Sequence, residues 1–178
     1  MTTINGLPAH ILLVHAVVVF VPLTALILVL VAVWPQARRR MALPTAILAA
    51  ISTALVPITT EAGDWLEHRV ARTDLLRAHT RLGDTLLPWV IGLLLIAVAI
   101  HARQLISQRR ARRFAAPDGP GTATATRCPR DGVGGRVVTA VLAALAIAVA
   151  GGAILDTYRI GDSGSRAVWT GNFSPHQL

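Results

Sequence analysis

The stretch from Leu7 to Trp34 is apolar and carries no fixed charge. About 20 consecutive apolar residues are enough to cross the hydrocarbon core of a bilayer as a helix. The stretch lacks the basic leading segment of a secretory signal, and it is longer than the apolar region of such a signal. It therefore predicts a first membrane span that is retained in the mature protein.

Three more apolar blocks follow, at about residues 41–60, 85–102 and 137–155. Charged residues make up only 15% of the chain, whereas soluble domains carry about 25%. The apolar residues come in long blocks, which favours membrane spans over the periodic stripes of a soluble core. The pattern predicts an all-α fold, namely a four-helix transmembrane bundle.

The polar segments divide the chain further. Residues 1–108 contain the first three helices, with an outer loop at 61–83. Residues 109–135, rich in Arg, Pro, Gly and Thr, are predicted to form a disordered cytoplasmic loop. Residues 136–157 form the fourth helix, and residues 158–178 form an outer tail in which glycines act as helix breakers.

Local signals predict where individual helices begin and end. Pro35 and the arginines at 38–40 are expected to stop the first span. Pro44 suits the first turn of the second span, where a missing N–H costs nothing. Thr73 is a plausible N-cap for a helix that leads into the third span. Near the end of the fourth span Gly152 follows Ala148 by four residues, a small-residue spacing that allows helices to approach closely.

The arginines predict the orientation in the membrane. Eleven of the 17 lie in the connection between spans one and two or in the one between spans three and four, and six lie on the other side. The positive-inside rule places the arginine-rich side in the cytoplasm. Both termini are then on the non-cytoplasmic side of the membrane, which is expected to be a plasma membrane.

This topology collects histidines and acids at the non-cytoplasmic end. The residues expected there include five of the six histidines, His10, His15, His68, His79 and His176, and the carboxylates Glu61, Asp64, Glu67, Asp84 and Asp156. Ionisable groups in or beside membrane helices are costly, so they are candidates for a functional site.

His10 and His15 do not point in the same direction. Five residues separate them by about 140° around a helix and about 7.5 Å along it. His15 is deeper in the span, and a buried imidazole needs a hydrogen bond or a metal. Partners for it must come from other helices, and His79, Asp64 and Asp84 are the obvious candidates.

Three interpretations of the cluster remain open. In the first, two imidazoles from different helices are the axial ligands of b-type haem. In the second, copper or zinc binds at the outer face, with His10, His15, His79 and Asp64 as ligands. In the third, the polar groups pair with one another at the headgroup level and are structural.

Several functional classes lack support. The lone Cys128 excludes an intrachain disulfide and any cysteine-based metal site within one chain. The sequence has no phosphate loop, nucleophile elbow or dinucleotide fingerprint, so an enzyme is not the favoured class. The net charge of +8 lies next to the apolar blocks, which points to lipid headgroups and topology and not to nucleic acid.

A family resemblance adds to this interpretation. Residues 6–15 read Gly-Leu-Pro-Ala-His-Ile-Leu-Leu-Val-His and resemble the Gly-x-Pro-x-His-x-x-x-Val-His signature of the bacterial membrane family catalogued as domain of unknown function 2231. Ala78-His79, the ends of spans two and three, and the tail from Arg159 to Trp169 are similar to the actinobacterial form of that family. The resemblance covers the chain apart from residues 109–135.

The resemblance implies redox chemistry. Helices of this family resemble those of di-haem cytochrome b-type membrane proteins, which favours haem for His15 and His79. Related tails often have a histidine where this chain has Asp162, which puts a ligand from the tail in doubt.

The predicted function is therefore a small b-type haem-binding or redox-associated membrane subunit with His15 and His79 as ligands. His10, Asp64 and Asp84 are expected to orient the imidazoles, although pairing of His79 with His10 is an alternative because His79 lies nearer the surface than His15. The expected partners are the bilayer and, in addition, a membrane redox partner or a second copy of the chain. A non-enzymatic membrane scaffold with a structural polar cluster is the competing prediction.

Overall fold

The computed structural model describes residues 3–4, 6–114 and 133–171. A short antiparallel hairpin precedes the helices. In it Thr3–Ile4 (β1) pairs with Leu7–Pro8 (β2) across a turn. Gly6 has φ of +80° in this turn, a backbone conformation that glycine adopts at little cost. The hairpin leads directly into the first helix.

The remaining described elements are helices. They are α1 (Ala9–Val33), α2 (Pro35–Glu67), α3 (Asp74–Gly83), α4 (Leu86–Phe114) and α5 (Val133–Trp169). Around the bundle α1 contacts α2, α2 contacts α4, α4 contacts α5, and α5 returns to α1. The short α3 packs mainly on the C-terminal part of α5 and continues into α4 after a break at residues 84–85.

Four helical segments in the described part of the chain are long and apolar enough to cross a membrane, and α3 and α4 together make the third. Large apolar side chains such as Val19, Leu26 and Leu95 point outward and are more than half exposed. They can contact lipid tails without the cost of exposing apolar surface to water. The predicted all-α, four-helix transmembrane bundle is confirmed, and the chain is a multi-pass membrane protein in contact with the bilayer. The side on which its termini lie stays a prediction.

The core between the helices is built from small and branched side chains. Val21, Leu28, Val90 and Leu93 are fully buried or nearly so. Small residues bring helices close, and a Cβ atom added at Gly152 would lie 2.2 Å from the ring of Trp89. Ala148, its predicted partner in a small-residue pair, is exposed.

Hydroxyl groups tie the helices together inside the bundle. The Oγ atoms of Thr24 in α1 and Ser52 in α2 are 2.9 Å apart. Thr53 in α2 donates to the carbonyl of Val90 in α4, at 3.1 Å. Such bonds satisfy polar groups that have no water partner in hydrocarbon.

The helices differ from the predicted ones in two places at their ends. Pro35 is the first residue of α2, so that helix contains residues 38–40 and Pro44 lies inside it instead of in its first turn. Proline is compatible with the first position because no helical N–H is needed there. The predicted N-cap of α3 is confirmed, since Thr73 Oγ accepts from the backbone N–H of Leu76 at 3.2 Å.

The largest difference concerns the segment after the fourth span. Residues 158–169 were expected to belong to a tail broken by glycines, but α5 continues through Gly161 and Gly164 to Trp169. Packing against α3 explains the continuation, because tertiary contacts override the low helix propensity of glycine. In the predicted outer loop, α2 extends to Glu67 and α3 begins at Asp74. The predicted disordered loop lies largely outside the described residues.

Candidate functional site

His10 lies in the first turn of α1 and faces α2. Its Nδ1 is 2.9 Å from the carbonyl oxygen of Thr59. A carbonyl can only accept, so Nδ1 carries the proton. Gly63 lies one turn further along α2, and a Cβ atom added there would be 2.9 Å from Cε1 of the imidazole. Because Gly63 has no side chain, the His10 ring can lie directly against α2.

His79 has an equivalent environment between α3 and α5. Its Nδ1 is 3.0 Å from Oγ of Ser163, and that hydroxyl donates its single proton to the carbonyl of Ile160 at 2.8 Å. The Ser163 oxygen must then accept from Nδ1–H of His79. A Cβ atom added at Gly164 would be 3.0 Å from Cε1 of this ring.

The two imidazole rings lie next to each other, edge to face. Their ring centroids are 6.5 Å apart, with an interplanar angle of 77°. Because Nδ1 is the protonated atom in both rings, Nε2 of each neutral ring keeps its lone pair. A histidine that ligates a metal has this arrangement, with the second ring nitrogen donating to a carbonyl or another oxygen.

Two cavities border the histidine pair. An apolar cavity of about 350 Å³ lies between α1, α2, α3 and α5 and is lined by His10, His15 and His79 together with Val14, Val56 and Ile160, among others. A more polar cavity of about 360 Å³ is lined by His10, His79, Asp64, Glu67 and Asp84, among others. We call this region, with both cavities and both imidazoles, the histidine end of the bundle.

His15 is oriented differently from His10. It is exposed on α1, and its Nδ1 donates to the carbonyl of Ile11 in its own helix at 2.6 Å. That bond supplies the hydrogen-bond partner that its depth in the span requires. His15 lines the apolar cavity with His79, but His10 is the imidazole whose ring contacts His79.

The predicted orienting carboxylates are near the pair but do not hold it. Asp64 and Asp84 line the polar cavity, while the Nδ1 bonds go to Thr59 and Ser163. These two residues did not stand out in the sequence. The signal available for Ser163 was its place between two glycines, which suggested a turn and not a helix.

The described histidines and acids do not form a larger metal centre. Within residues 3–4, 6–114 and 133–171, no group of three or more His, Cys, Asp or Glu side chains is arranged to hold a metal ion. His68, the residue that follows α2, bonds to the carbonyl of Asp64, and His101 is in the C-terminal half of α4, towards the other end of the bundle. His176 lies outside the described residues.

A buried carboxylate lies below the histidine end. Asp156 in α5 is only 8% exposed, and both of its oxygens are within reach of Thr85 Oγ, at 2.9 and 3.1 Å. Thr85 immediately precedes α4, so this pair ties α5 to the break between α3 and α4. Ser163 is seven residues further along α5, on the same face.

Comparison of the chain with known protein families, curated proteins and solved structures gave no match. The resemblance to domain of unknown function 2231 therefore stays a prediction based on the residues that carry it.

Proposed function

We propose that this membrane protein binds b-type haem at its histidine end and serves as a small redox-associated subunit. In this proposal His10 and His79 would hold the haem iron. The observation that carries it is the imidazole pair from two different helices, with both Nδ1 atoms bonded to oxygens and both Nε2 lone pairs available.

The spacing of the two rings suits one metal atom between them. Two imidazoles that hold one metal atom through nitrogens at about 2 Å can have ring centroids as far as about 6.4 Å apart. The observed separation is 6.5 Å.

The number of protein ligands favours haem over an isolated copper or zinc ion. Structural zinc takes four protein ligands and catalytic zinc takes three, whereas haem iron receives four nitrogens from its porphyrin and needs only two from the protein. The described residues at this end supply two adjacent imidazoles. The neighbouring apolar cavity, lined by Val14, Val56 and Ile160, suits a porphyrin face.

The chain's own residues have distinct tasks in this proposal. The Thr59 carbonyl and the Ser163 hydroxyl would hold the rings in the Nδ1–H tautomer, which leaves the Nε2 lone pair of each ring for the ligand. Gly63 and Gly164 leave room for the rings, and the apolar side chains exclude water. Bound haem would supply one-electron transfer, and in this proposal the site belongs to the non-cytoplasmic half of a bacterial plasma membrane, which the arginine distribution favours.

A structural role for the pair is the second candidate, and a specific observation favours it. Each imidazole already joins two helices, His10 from α1 to α2 and His79 from α3 to α5. Four helices are thus connected through two rings. In this case the protein is a non-enzymatic membrane scaffold, and the histidines stabilise its packing.

Absorption spectroscopy of the full-length protein, purified in detergent after expression with haem supply, separates the two candidates. We expect a Soret band that is lost or shifted in His10→Ala and in His79→Ala. His68→Ala is the matched control, because His68 is exposed and its Nδ1 bonds to the nearby carbonyl of Asp64. Absence of a Soret band in the folded wild-type protein would reject haem binding.

The same spectra decide which histidines are ligands. A band that is lost in His15→Ala and His79→Ala but unchanged in His10→Ala would restore the pair predicted from sequence. A band unchanged in all three variants would contradict ligation by this cluster. Circular dichroism of each variant shows whether its helices are retained.

A further inference from the structure

A groove of about 490 Å³ runs between α1 and α5 beside the histidine end. Val18 and Tyr158, which line it, are exposed, so the groove opens to the surroundings of the bundle. It shares four lining residues with the apolar cavity at the histidine end, namely Val18, Thr157, Gly161 and Ser165. The groove and the cavity therefore adjoin, and the groove is an entrance to the histidine end from the bilayer.

The lining of the groove changes from apolar to polar towards the end of α5. The apolar part consists of Val18, Pro22 and Ile154, and the polar part contains Tyr158, Asp162 and Ser165. The polar part follows the apolar block of the fourth span, which ends at residue 155, and tyrosine concentrates at the level of lipid headgroups. This gradient suits an amphiphile with its polar group near Asp162 and its apolar tail in the bilayer.

The polar groups of the groove supply hydrogen-bond acceptors. The Asp162 carboxylate accepts from Nε of Arg166 at 2.9 Å and has further lone pairs. The hydroxyl of Ser165 gives its single proton to the carbonyl of Asp162 at 2.8 Å, so its oxygen accepts from other donors. Pro22 has no N–H, so the carbonyl of Val18 lacks the donor that a regular helix supplies four residues on. A ligand with hydroxyl donors satisfies such groups, whereas a ligand with carbonyl oxygens alone does not.

We propose that a hydroquinone of the bilayer binds in this groove. A hydroquinone has two hydroxyl donors on a flat ring and an apolar tail. It is neutral, which matches a carboxylate whose charge is already balanced by Arg166. The volume of the groove is within the range of about 300–1,000 Å³ that is usual for small-molecule sites.

The ligand names a class of redox partner for the histidine end, because hydroquinones carry electrons within membranes. That use rests on the proposed haem function. Binding itself depends only on the residues of the groove, so it is tested separately from haem.

Native mass spectrometry of the full-length protein in detergent, under anaerobic conditions, can measure this binding. The probes are a decyl-substituted hydroquinone, the corresponding quinone and phosphatidylcholine. We expect one hydroquinone to bind per chain, with an affinity about fivefold or more above that of the quinone, because the quinone offers no donors to the acceptors of the groove.

Gly161→Leu tests the place of binding. Gly161 lies on the boundary between groove and cavity, and a Cβ atom added there would meet nothing within 4 Å, so a larger side chain fills the groove without a clash. Gly151→Leu is the matched control, since Gly151 lies in the same helix with the same open space but is not among the residues that line the groove. We expect hydroquinone binding to be lost only in Gly161→Leu.

Asp162→Asn tests the polar part of the groove. The amide can donate as well as accept, so the preference for hydroquinone over quinone should disappear. Asp74→Asn is the control, because Asp74 is an exposed acid that also pairs with an arginine of its own helix. A preference that is retained in Asp162→Asn would contradict the proposal.

Equal binding of hydroquinone to Gly161→Leu and Gly151→Leu, or equal affinity of the wild-type protein for hydroquinone and quinone, would overturn the proposal. Phosphatidylcholine that binds in place of hydroquinone and is lost in Gly161→Leu would overturn it as well, because the groove would then hold a phospholipid. A Soret band without hydroquinone binding would reject this proposal alone, and hydroquinone binding without a Soret band would reject the haem proposal alone.

Discussion

At the scale of single residues, two glycines control the histidine pair. Gly63 and Gly164 each lie against an imidazole, so a side chain at either position must move a ring whose adjacent Nδ1 atom is hydrogen-bonded. The sequence predicted that His10 and His15 face different directions, and the structure agrees: His10 faces α2, whereas His15 is exposed. Its prediction of His15 as the ligand paired with His79 awaits the spectroscopic test.

Gly63→Ala and Gly164→Ala should each displace the neighbouring imidazole. The added Cβ atoms would lie 2.9 and 3.0 Å from Cε1 of His10 and His79, and overpacking of this kind costs about 1–3 kcal/mol. Unfolding in detergent would measure this loss. Gly161→Ala, with open space around its Cβ atom, should be neutral or slightly stabilising. Equal stability in all three variants would argue against tight packing around the rings.

Thr85→Val should destabilise the protein by removing the hydroxyl that contacts both the buried carboxylate of Asp156 and the carbonyl of Leu82. Asp156 is 8% exposed, and leaving such a group without its hydrogen bond costs about 1–3 kcal/mol. Thr80→Val is the control, since its exposed hydroxyl bonds only to the carbonyl of Arg77 in its own helix. If both variants unfold at the same denaturant concentration as the wild type, Thr85 contributes little to holding Asp156.

At the scale of helices, the pairing of α4 with α5 depends on close approach. Trp89 lies on Gly152, and Val149 lies against Gly92, where an added Cβ atom would be 2.9 Å from Val149 Cγ1. A large aromatic ring opposite a glycine allows contact between helices that larger residues would keep apart. The small-residue spacing in the sequence thus identified Gly152 correctly but not its partner.

Gly152→Ala should separate α4 from α5 or force the Trp89 ring to a new position. The neighbouring Gly151→Ala is a closely matched control, because a Cβ atom there would meet nothing within 4 Å. We expect Gly152→Ala to unfold more easily by about 1–3 kcal/mol and to change the fluorescence of the tryptophans. A variant with wild-type stability and fluorescence would contradict the packing described for this pair.

At the scale of the whole molecule, the bundle has two chemically different ends. Imidazoles and carboxylates line the cavities at one end, and arginines line the cavity at the other. Between them the interior contains small apolar side chains and hydroxyl groups bonded to nearby carbonyls. The positive-inside rule predicts that the arginine-lined end is at the cytoplasmic surface and that the histidine end faces outward.

Cysteine labelling of intact cells tests this orientation. The native Cys128, between α4 and α5 in the sequence, should react with a membrane-impermeant maleimide only after lysis. In a Cys128→Ser background, a cysteine placed by Thr170→Cys, just after α5, should react in intact cells. The reverse pattern would invert the topology and place the histidine end in the cytoplasm.

The sequence alone determined the four spans, because the transfer of a segment into hydrocarbon depends on its own apolar length and charge. It also predicted that His10, His15, His68 and His79 collect at one end, since alternating spans return to the same surface. It did not predict that α5 continues to Trp169, because that depends on packing against α3. Rotation of each helix about its axis decided the remaining features: His10 contacts His79, Thr59 and Ser163 hold their rings, and Thr85 reaches Asp156. Such rotations follow from side-chain packing between distant segments, which no local pattern contains.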